Sequence, residues 1–420
     1  GKQLKDMMFR VPHPANLGLG LSVLSYAGKV IVGVRIDEGV SKNPGRLVEL
    51  FEEEASGMLE AQHLLLTGAW FLVNLGGLRR DGKGFFEMKL RLVPILLLVV
   101  GAFALPGTTA TTQAEEAYTL RIASLAPAGS SWMKILNAWN KTLQEKTDGK
   151  LKMRFYPGGS QGDERDFVRK MRVGQLDGGV VTTTGLSQLV RSTLVLVVPG
   201  FLDTYDELDR VRVKMAPEFD AMFEKEGFRI VGWADAGKTR LFSAEPLKSP
   251  NDIKTKRPWA WKDDPVFIEF YQVIGASAVR LGVPEVYPAL QTRMIDVVSS
   301  SALTAVALQW YTRVKYMTKN NSAIIAGGTV MRRDKYDELP EDFKKVFDST
   351  AARAHELLNK TIRKDDQKAY DVILKKGIQV VDPGDAKADW DAAHKKVRDN
   401  LTGRVFSKSL LDAVAAASKP

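Results

Sequence analysis

A basic start followed by an uncharged apolar run limits which parts of this 420-residue chain can fold together. Met88 is followed by Lys89 and Arg91. An apolar run then extends from Leu92 to Pro106, and small and polar residues follow as far as Ala114. This is the order of an export signal: a charged start, an apolar stretch and a cleavage site. The run is shorter than the roughly 20 residues that span a bilayer comfortably. Pro94 and Pro106 speak against a core helix, because proline removes a backbone donor. The expectation is a signal peptide over 88–114, cut near Ala114, and a periplasmic domain that begins near Glu115. A buried core helix and an uncleaved anchor are the alternatives.

There is no cysteine, so this sequence holds no disulfide, thiolate metal site, cysteine nucleophile or lipidated cysteine. The four histidines, His13, His63, His355 and His394, fit no metal-ligand spacing. The net charge of +10 comes from interleaved rather than clustered residues. It reads as a solvated surface and not as a nucleic-acid footprint.

The segment before Met88 reads differently. Residues 18–37 alternate as two strands around a turn at Ala27-Gly28, and 44–60 read as a short amphipathic helix with Leu47, Leu50 and Phe51 on one face. Two strands and a helix are too little to bury a core. Gly18, Gly20, Leu21, Ser25, Tyr26, Gly28 and Asp37 resemble the extreme C-terminus of bacterial wax ester synthase/diacylglycerol acyltransferases, over roughly 10–60. The HHxxxDG motif of that family is absent, so no acyltransferase activity is implied. Residues 61–87 read as an unstructured or translated intergenic segment, with Asp81 to Gly84 matching a purine-rich stretch ahead of Met88. The chain starts at Gly1 and is read as a fragment or a translated upstream frame; a genuine fusion is the competing reading.

From Tyr118 onward short strands alternate with helices. Residues 118–124 alternate as a strand, and 131–146 form an amphipathic helix with Trp132, Ile135, Leu136, Trp139 and Leu143 on one side. A strand at 151–157, a helix at 163–174 and an apolar strand at 178–185 follow. This βαβαβ order predicts a parallel sheet with right-handed crossovers. Ligands in such folds sit beyond the carboxyl ends of the strands, so the loops at 126–132, 158–162 and 182–186 are candidate pocket walls. A second unit begins with a strand at 228–237 entering a glycine-bearing loop. It continues with a capped turn and short strand within 249–266, helices at 265–274 and 284–294, and a strand at 294–301. The last third is mostly helical. The boundaries are set at 115–240 for a first lobe, 241–330 for a second and 331–420 for a helical region returning across both.

An ordered set of motifs carries a second resemblance. It runs through Ala126-Pro127, Ser130 and Trp132; Phe155 to Gly159; Val173 to Asp177; Gly227 to Trp233; Lys248 to Asp252; Glu285 to Thr292; and Leu339 to Glu341. Over 118–375 the chain resembles the substrate-binding subunit of tripartite ATP-independent periplasmic (TRAP) transporters, the DctP type. The resemblance implies an α/β periplasmic binding protein fold of two lobes closing over one small-molecule ligand. It also implies partners: the small and large membrane permease components and, in one branch, a tetratricopeptide lipoprotein. No cofactor or nucleic-acid partner is implied.

The same resemblance places a ligand-clamping arginine where this chain has Trp259, in the run Lys256-Arg257-Pro258-Trp259-Ala260-Trp261, and a ligand-facing asparagine near Ser300. An indole has an apolar face and one N–H donor, and it cannot neutralise a carboxylate, whose unpaired burial costs several kcal/mol. The expected ligand therefore has apolar or aromatic character. Trp259 is the expected stacking surface, with Trp261, Trp233 and Trp132 as further walls and Trp310 beside them. Ser300, Thr183 and Thr184, with Thr182, are the polar contacts. Arg257, two residues from Trp259 on an extended strand, is a candidate displaced clamp for an organic carboxylate. A lipid or hydrophobic-ligand carrier without a permease is the other reading. Glu285 and Asp296 could form a catalytic carboxylate pair and Asp263-Asp264 an oxygen-ligand metal site, but the pattern favours neither. The chain is read as a binder, with no catalytic residue and no metal.

Overall fold

The computed structural model describes the strands Leu19–Tyr26, Lys29–Ile36, Phe71–Arg80 and Phe86–Pro94, and residues 117–420. The chain divides into two units, Gly1–Thr111 and Thr112–Pro420, each described by itself.

In the first unit, Leu19–Tyr26 and Lys29–Ile36 pair antiparallel in unbroken register from Leu19 opposite Ile36 to Tyr26 opposite Lys29. Ala27-Gly28, where a turn was expected, lie outside the described residues. Phe86–Pro94 pairs with Lys29–Ile36 on one side and with Phe71–Arg80 on the other, giving a four-stranded antiparallel sheet. The strand Phe71–Arg80 falls within 61–87, the stretch expected to be an unstructured or translated intergenic segment. The basic start of the proposed signal also lies in a strand. Phe86, Met88, Leu90 and Leu92 alternate with Glu87, Lys89 and Arg91, and that is the period-two pattern of a strand. The helix read at 44–60 and the stretch 95–116, including Ala114, lie outside the described residues.

The second unit begins with Tyr118–Ser124, flanked in parallel by Leu151–Tyr156 and Gly178–Thr182. The helix between the first two, Ser131–Lys146, forms because Ser130 caps it, accepting from the Met133 N–H. Its Trp132, Met133, Leu136, Trp139 and Leu143 make one buried stripe. Glu164–Arg172 starts at a capping box made by Asp163 and Asp166.

Beyond these three parallel strands the sheet is mixed. Gly178–Thr182 pairs antiparallel with Ala323–Arg332, which pairs antiparallel with the long strand Phe228–Ser243. The far half of the long strand pairs antiparallel with Val297–Ser300 and with Tyr316–Thr318, and the latter pairs in parallel with Gln379–Val381. Two antiparallel strands thus run through the middle of the sheet. The expected loop at Gly237 is not a loop, because the strand continues through it to Ser243. Gly237 takes φ +104°, and a Cβ there would meet the Asp366 carboxylate at 2.6 Å.

The helix Glu341–Lys375 lies along this central pair. Its buried positions, Phe347, Ala351, His355, Leu358, Ile362, Asp366, Ala369 and Ile373, recur every three or four residues. His355 fits only because residue 232 is glycine; a Cβ there would stand 2.4 Å from the imidazole. Its Nδ1 donates to the Ala351 carbonyl at 2.8 Å, and its Nε2 accepts from the Thr329 hydroxyl at 2.7 Å. Burial holds its pKa below the usual histidine value. Lys387–Leu401 and Lys408–Ala417 complete a core with Pro265–Ile274 through Phe270, Ile274, Val397, Leu410 and Val414.

Candidate functional site

A cavity of about 180 Å³ opens beside the central strands. The loop after Tyr118–Ser124 contributes Ala126 and Pro127, and the first turn of the helix that follows contributes Trp132. The end of Gly178–Thr182 and the short turn after it contribute Thr182, Thr183 and Thr184. The long strand adds Ala234, Asp235, Ala236 and Thr239. The opposite wall holds Trp259, Trp261, Asp264, Phe267, Ser300 and Trp310. Of the three loops expected to wall the site, 126–132 and 182–186 line it, and 158–162 does not.

The aromatic wall is built on two short parallel strands, Trp259–Trp261 and Val279–Leu281. Trp259 stacks with Trp261 at 6.2 Å between centroids and meets Trp310 edge-on at 5.4 Å. Trp259 is only 4% exposed, so it serves the core as well as the cavity. Three of the four indole donors in the lining are spent within the protein: Trp259 Nε1 on the Leu281 carbonyl at 3.0 Å, Trp261 Nε1 on Asp163 at 2.9 Å and Trp132 Nε1 on the Asp235 carbonyl at 3.1 Å. These side chains therefore offer the cavity carbon surface. Ser300 is buried, and its hydroxyl donates to the Ser301 carbonyl at 3.1 Å. Thr183 and Thr184 are buried beside it in the lining, and the Thr182 hydroxyl donates to Glu164 at 2.9 Å.

Two expected site residues lie elsewhere. Trp233 packs edge-on against Phe219 at 5.5 Å under the Arg212 guanidinium and does not line the cavity. A central strand buried on both faces gives no alternation from which to read its direction. Arg257 is directed away: its side chain is 55% exposed, and its Nε and Nη2 each donate to Asp296 at 3.1 Å. Pro258 explains this, because regular strand begins only at Trp259 and the same-face rule does not reach back across the proline. Asp296 is thereby engaged, and Glu285 caps its own helix by accepting from the Gly282 N–H at 2.6 Å. These two carboxylates do not form a pair. Asp263 receives Arg165 at 3.2 Å while Asp264 caps the helix Pro265–Ile274, so the two adjacent acids do not act jointly. No group of acids and histidines fit to hold a metal occurs among the described residues.

Three acids in the lining were missed as site residues. Asp235 is wholly buried and accepts from Arg212 and Arg363, each at 2.7 Å. Glu164 accepts from the Thr182 N–H at 2.7 Å, the Thr182 hydroxyl and the Gly185 N–H at 2.7 Å. Burial outweighs these donors and pushes its pKa up to about 8. Asp264 accepts from the Val266 and Phe267 N–H groups, and burial pushes it up to about 6. Among the described residues no lysine, arginine or histidine lines the cavity.

Residues 122–403 match the model of the bacterial extracellular solute-binding proteins, family 7 (DctP), and residues 1–58 match the WS/DGAT C-terminal domain. The 2,3-diketo-L-gulonate-binding periplasmic protein of Escherichia coli is 27% identical over 74% of this chain and 94% of its own length. A Bordetella pertussis extracytoplasmic solute receptor binding pyroglutamic acid superposes with a TM-score of 0.68 at 17% identity, over 72% of this chain and 100% of that one. A TRAP periplasmic solute-binding protein of Shewanella oneidensis with bound succinate gives 0.67 at 17% identity, with the same coverage. These structures share the two-lobed α/β fold found here. With two thirds of its length matched to one family model, the chain belongs to the bacterial extracellular solute-binding proteins, family 7.

Proposed function

We propose that this protein captures a small ligand of apolar or aromatic character in the periplasm and passes it to a membrane permease. Capture proceeds by lobe closure, the ligand favouring the closed form by its differential affinity for the two states. No chemistry is performed on the ligand. Export by the signal at 88–114, cut near Ala114, and delivery to TRAP membrane subunits belong to the same reading.

The observation that carries it is the cavity lining: Trp259, Trp261 and Trp310 on one wall and, among the described residues, no basic side chain in the lining. Pyroglutamic acid and succinate, bound by the structural neighbours, are carboxylic acids. A carboxylate placed in this cavity would meet no cation, and such unpaired burial costs several kcal/mol. The Thr182–Thr184 turn and Ser300 supply the polar contacts, and Trp132 closes the end nearest the first strand.

Native mass spectrometry of the purified chain, with release and fragmentation of any carried molecule, tests this. A carried molecule with a substantial apolar or aromatic body is expected. Thermal melts with succinate should show no stabilisation. Micromolar binding of succinate would overturn the reading.

A further inference from the structure

The cavity lining holds three carboxylates, and only one keeps an oxygen without a partner. Asp235 has both oxygens on arginines. Glu164 has both on backbone or hydroxyl donors. At Asp264 the two helix amides both take Oδ1, and Oδ2 makes no hydrogen bond within the described residues. Among the described residues no cation pairs with Asp264; Arg165 is turned to the neighbouring Asp263. Asp264 is 9% exposed and lines the same wall as Trp261 and Phe267. Its Oδ2 keeps some exposure, and a ligand that covered this oxygen without offering a donor would leave it buried and unsatisfied, at a cost. It is compensated best by a charge-assisted donor.

Resting on the apolar reading above, we infer that the ligand carries a cationic nitrogen, an ammonium group that donates to Asp264 Oδ2 while its apolar body lies against Trp259, Trp261 and Trp310. Indole faces attract cations as well as apolar groups, so the wall and the carboxylate favour the same chemistry. The size agrees. A cavity of about 150 Å³ accepts a benzene ring, and about 180 Å³ leaves room for one ring and a short arm. Burial that raises the Asp264 pKa makes this carboxylate a better base, and a better acceptor, than an exposed one.

The test titrates the full chain by calorimetry with three probes of one shape: 2-phenylethylammonium, 2-phenylethanol and phenylacetate. The ammonium is expected to bind at least about tenfold tighter than the alcohol, with phenylacetate weakest. Asp264→Asn keeps the Oδ1 acceptor for Val266 and Phe267 and should fold; it is expected to lose the preference for the ammonium over the alcohol. The ranking on the unaltered protein stands whether or not the variant folds. An alcohol that binds as well as the ammonium overturns the charge inference alone. A preference that survives in Asp264→Asn also overturns it, as does failure of all three probes to bind at millimolar concentration. Phenylacetate or succinate binding tightly, with the alcohol excluded, overturns the apolar reading beneath it.

Discussion

The two walls of the cavity treat buried carboxylates in opposite ways. On the strand-and-helix wall, Asp235 gives one oxygen to Arg212 and the other to Arg363, which also grips Asp209 with two bonds of 2.6 Å. Outside the lining, Asp366 likewise gives one oxygen to the Lys238 N–H and the other to the Leu303 N–H. On the tryptophan wall, Asp264 satisfies one oxygen and leaves the other. Where a carboxylate ties elements together, its pairing is complete. Where one faces the space a ligand would fill, half of its capacity is kept. Incomplete pairing in a buried position is costly, and it persists where something outside the chain can complete it.

The largest effect should come from breaking the complete side. Asp235 is 0% and Arg212 5% exposed, so Asp235→Ala leaves a buried guanidinium with only Asp209, at 3.9 Å, as a counter-charge. Breaking a buried pair from one side costs about 3–5 kcal/mol, and a urea-unfolding midpoint should fall accordingly. Asp264→Asn should leave that midpoint nearly unchanged, because it removes no protein partner. Equal losses from the two substitutions would erase the contrast between the walls.

Much of this frame was legible beforehand. Apolar residues at helical spacing marked Ser131–Lys146 to the residue, and strict alternation marked Tyr118–Ser124. Those signals are local, since a period is written in neighbouring residues. The site was less legible because its decisive contacts are distant in sequence. Arg257 meets a carboxylate 39 positions on, and nothing in Lys256-Arg257-Pro258 points to it. Trp233 sits on a strand covered on both faces, where periodicity is silent about direction. Asp264 resembled a solvated loop acid because Asp263 precedes it; the chain separates the two, one to an exposed arginine and one to a helix cap. Glu164 looked like a helix-start acid, and only the fold brings Thr182 and Gly185 onto it.

Glu164 offers the next effect, read through pH. Its folded pKa, about 8, lies above its ordinary value near 4.5. Between those values the native state holds a proton that the unfolded state has lost, so stability falls as pH rises through this window. The slope is at most about 1.4 kcal/mol per pH unit. Glu164→Gln cannot titrate, and its unfolding midpoint should lose that slope. Its amide no longer accepts from the Gly185 N–H, so a pH-independent loss of about 1 kcal/mol is expected beside it. An unchanged slope would mean that Glu164 is ionised in the native state and that its three donors outweigh burial.

The smallest effect is expected at Arg257, where an absence of change is the informative result. Its ion pair with Asp296 is solvent-facing on the arginine side, and such pairs contribute about 0–1 kcal/mol. Arg257→Ala should therefore move the unfolding midpoint by no more than that. Its guanidinium does not line the cavity, so the affinity for 2-phenylethylammonium or 2-phenylethanol should stay within about twofold, a difference of roughly 0.4 kcal/mol. A cation brought into the cavity on closure would behave otherwise: its removal would strengthen ammonium binding and weaken carboxylate binding together. That paired shift would show that Arg257 leaves Asp296 when the lobes close. It would break the contrast on its open side, because Asp264 would then have a partner supplied by the chain itself.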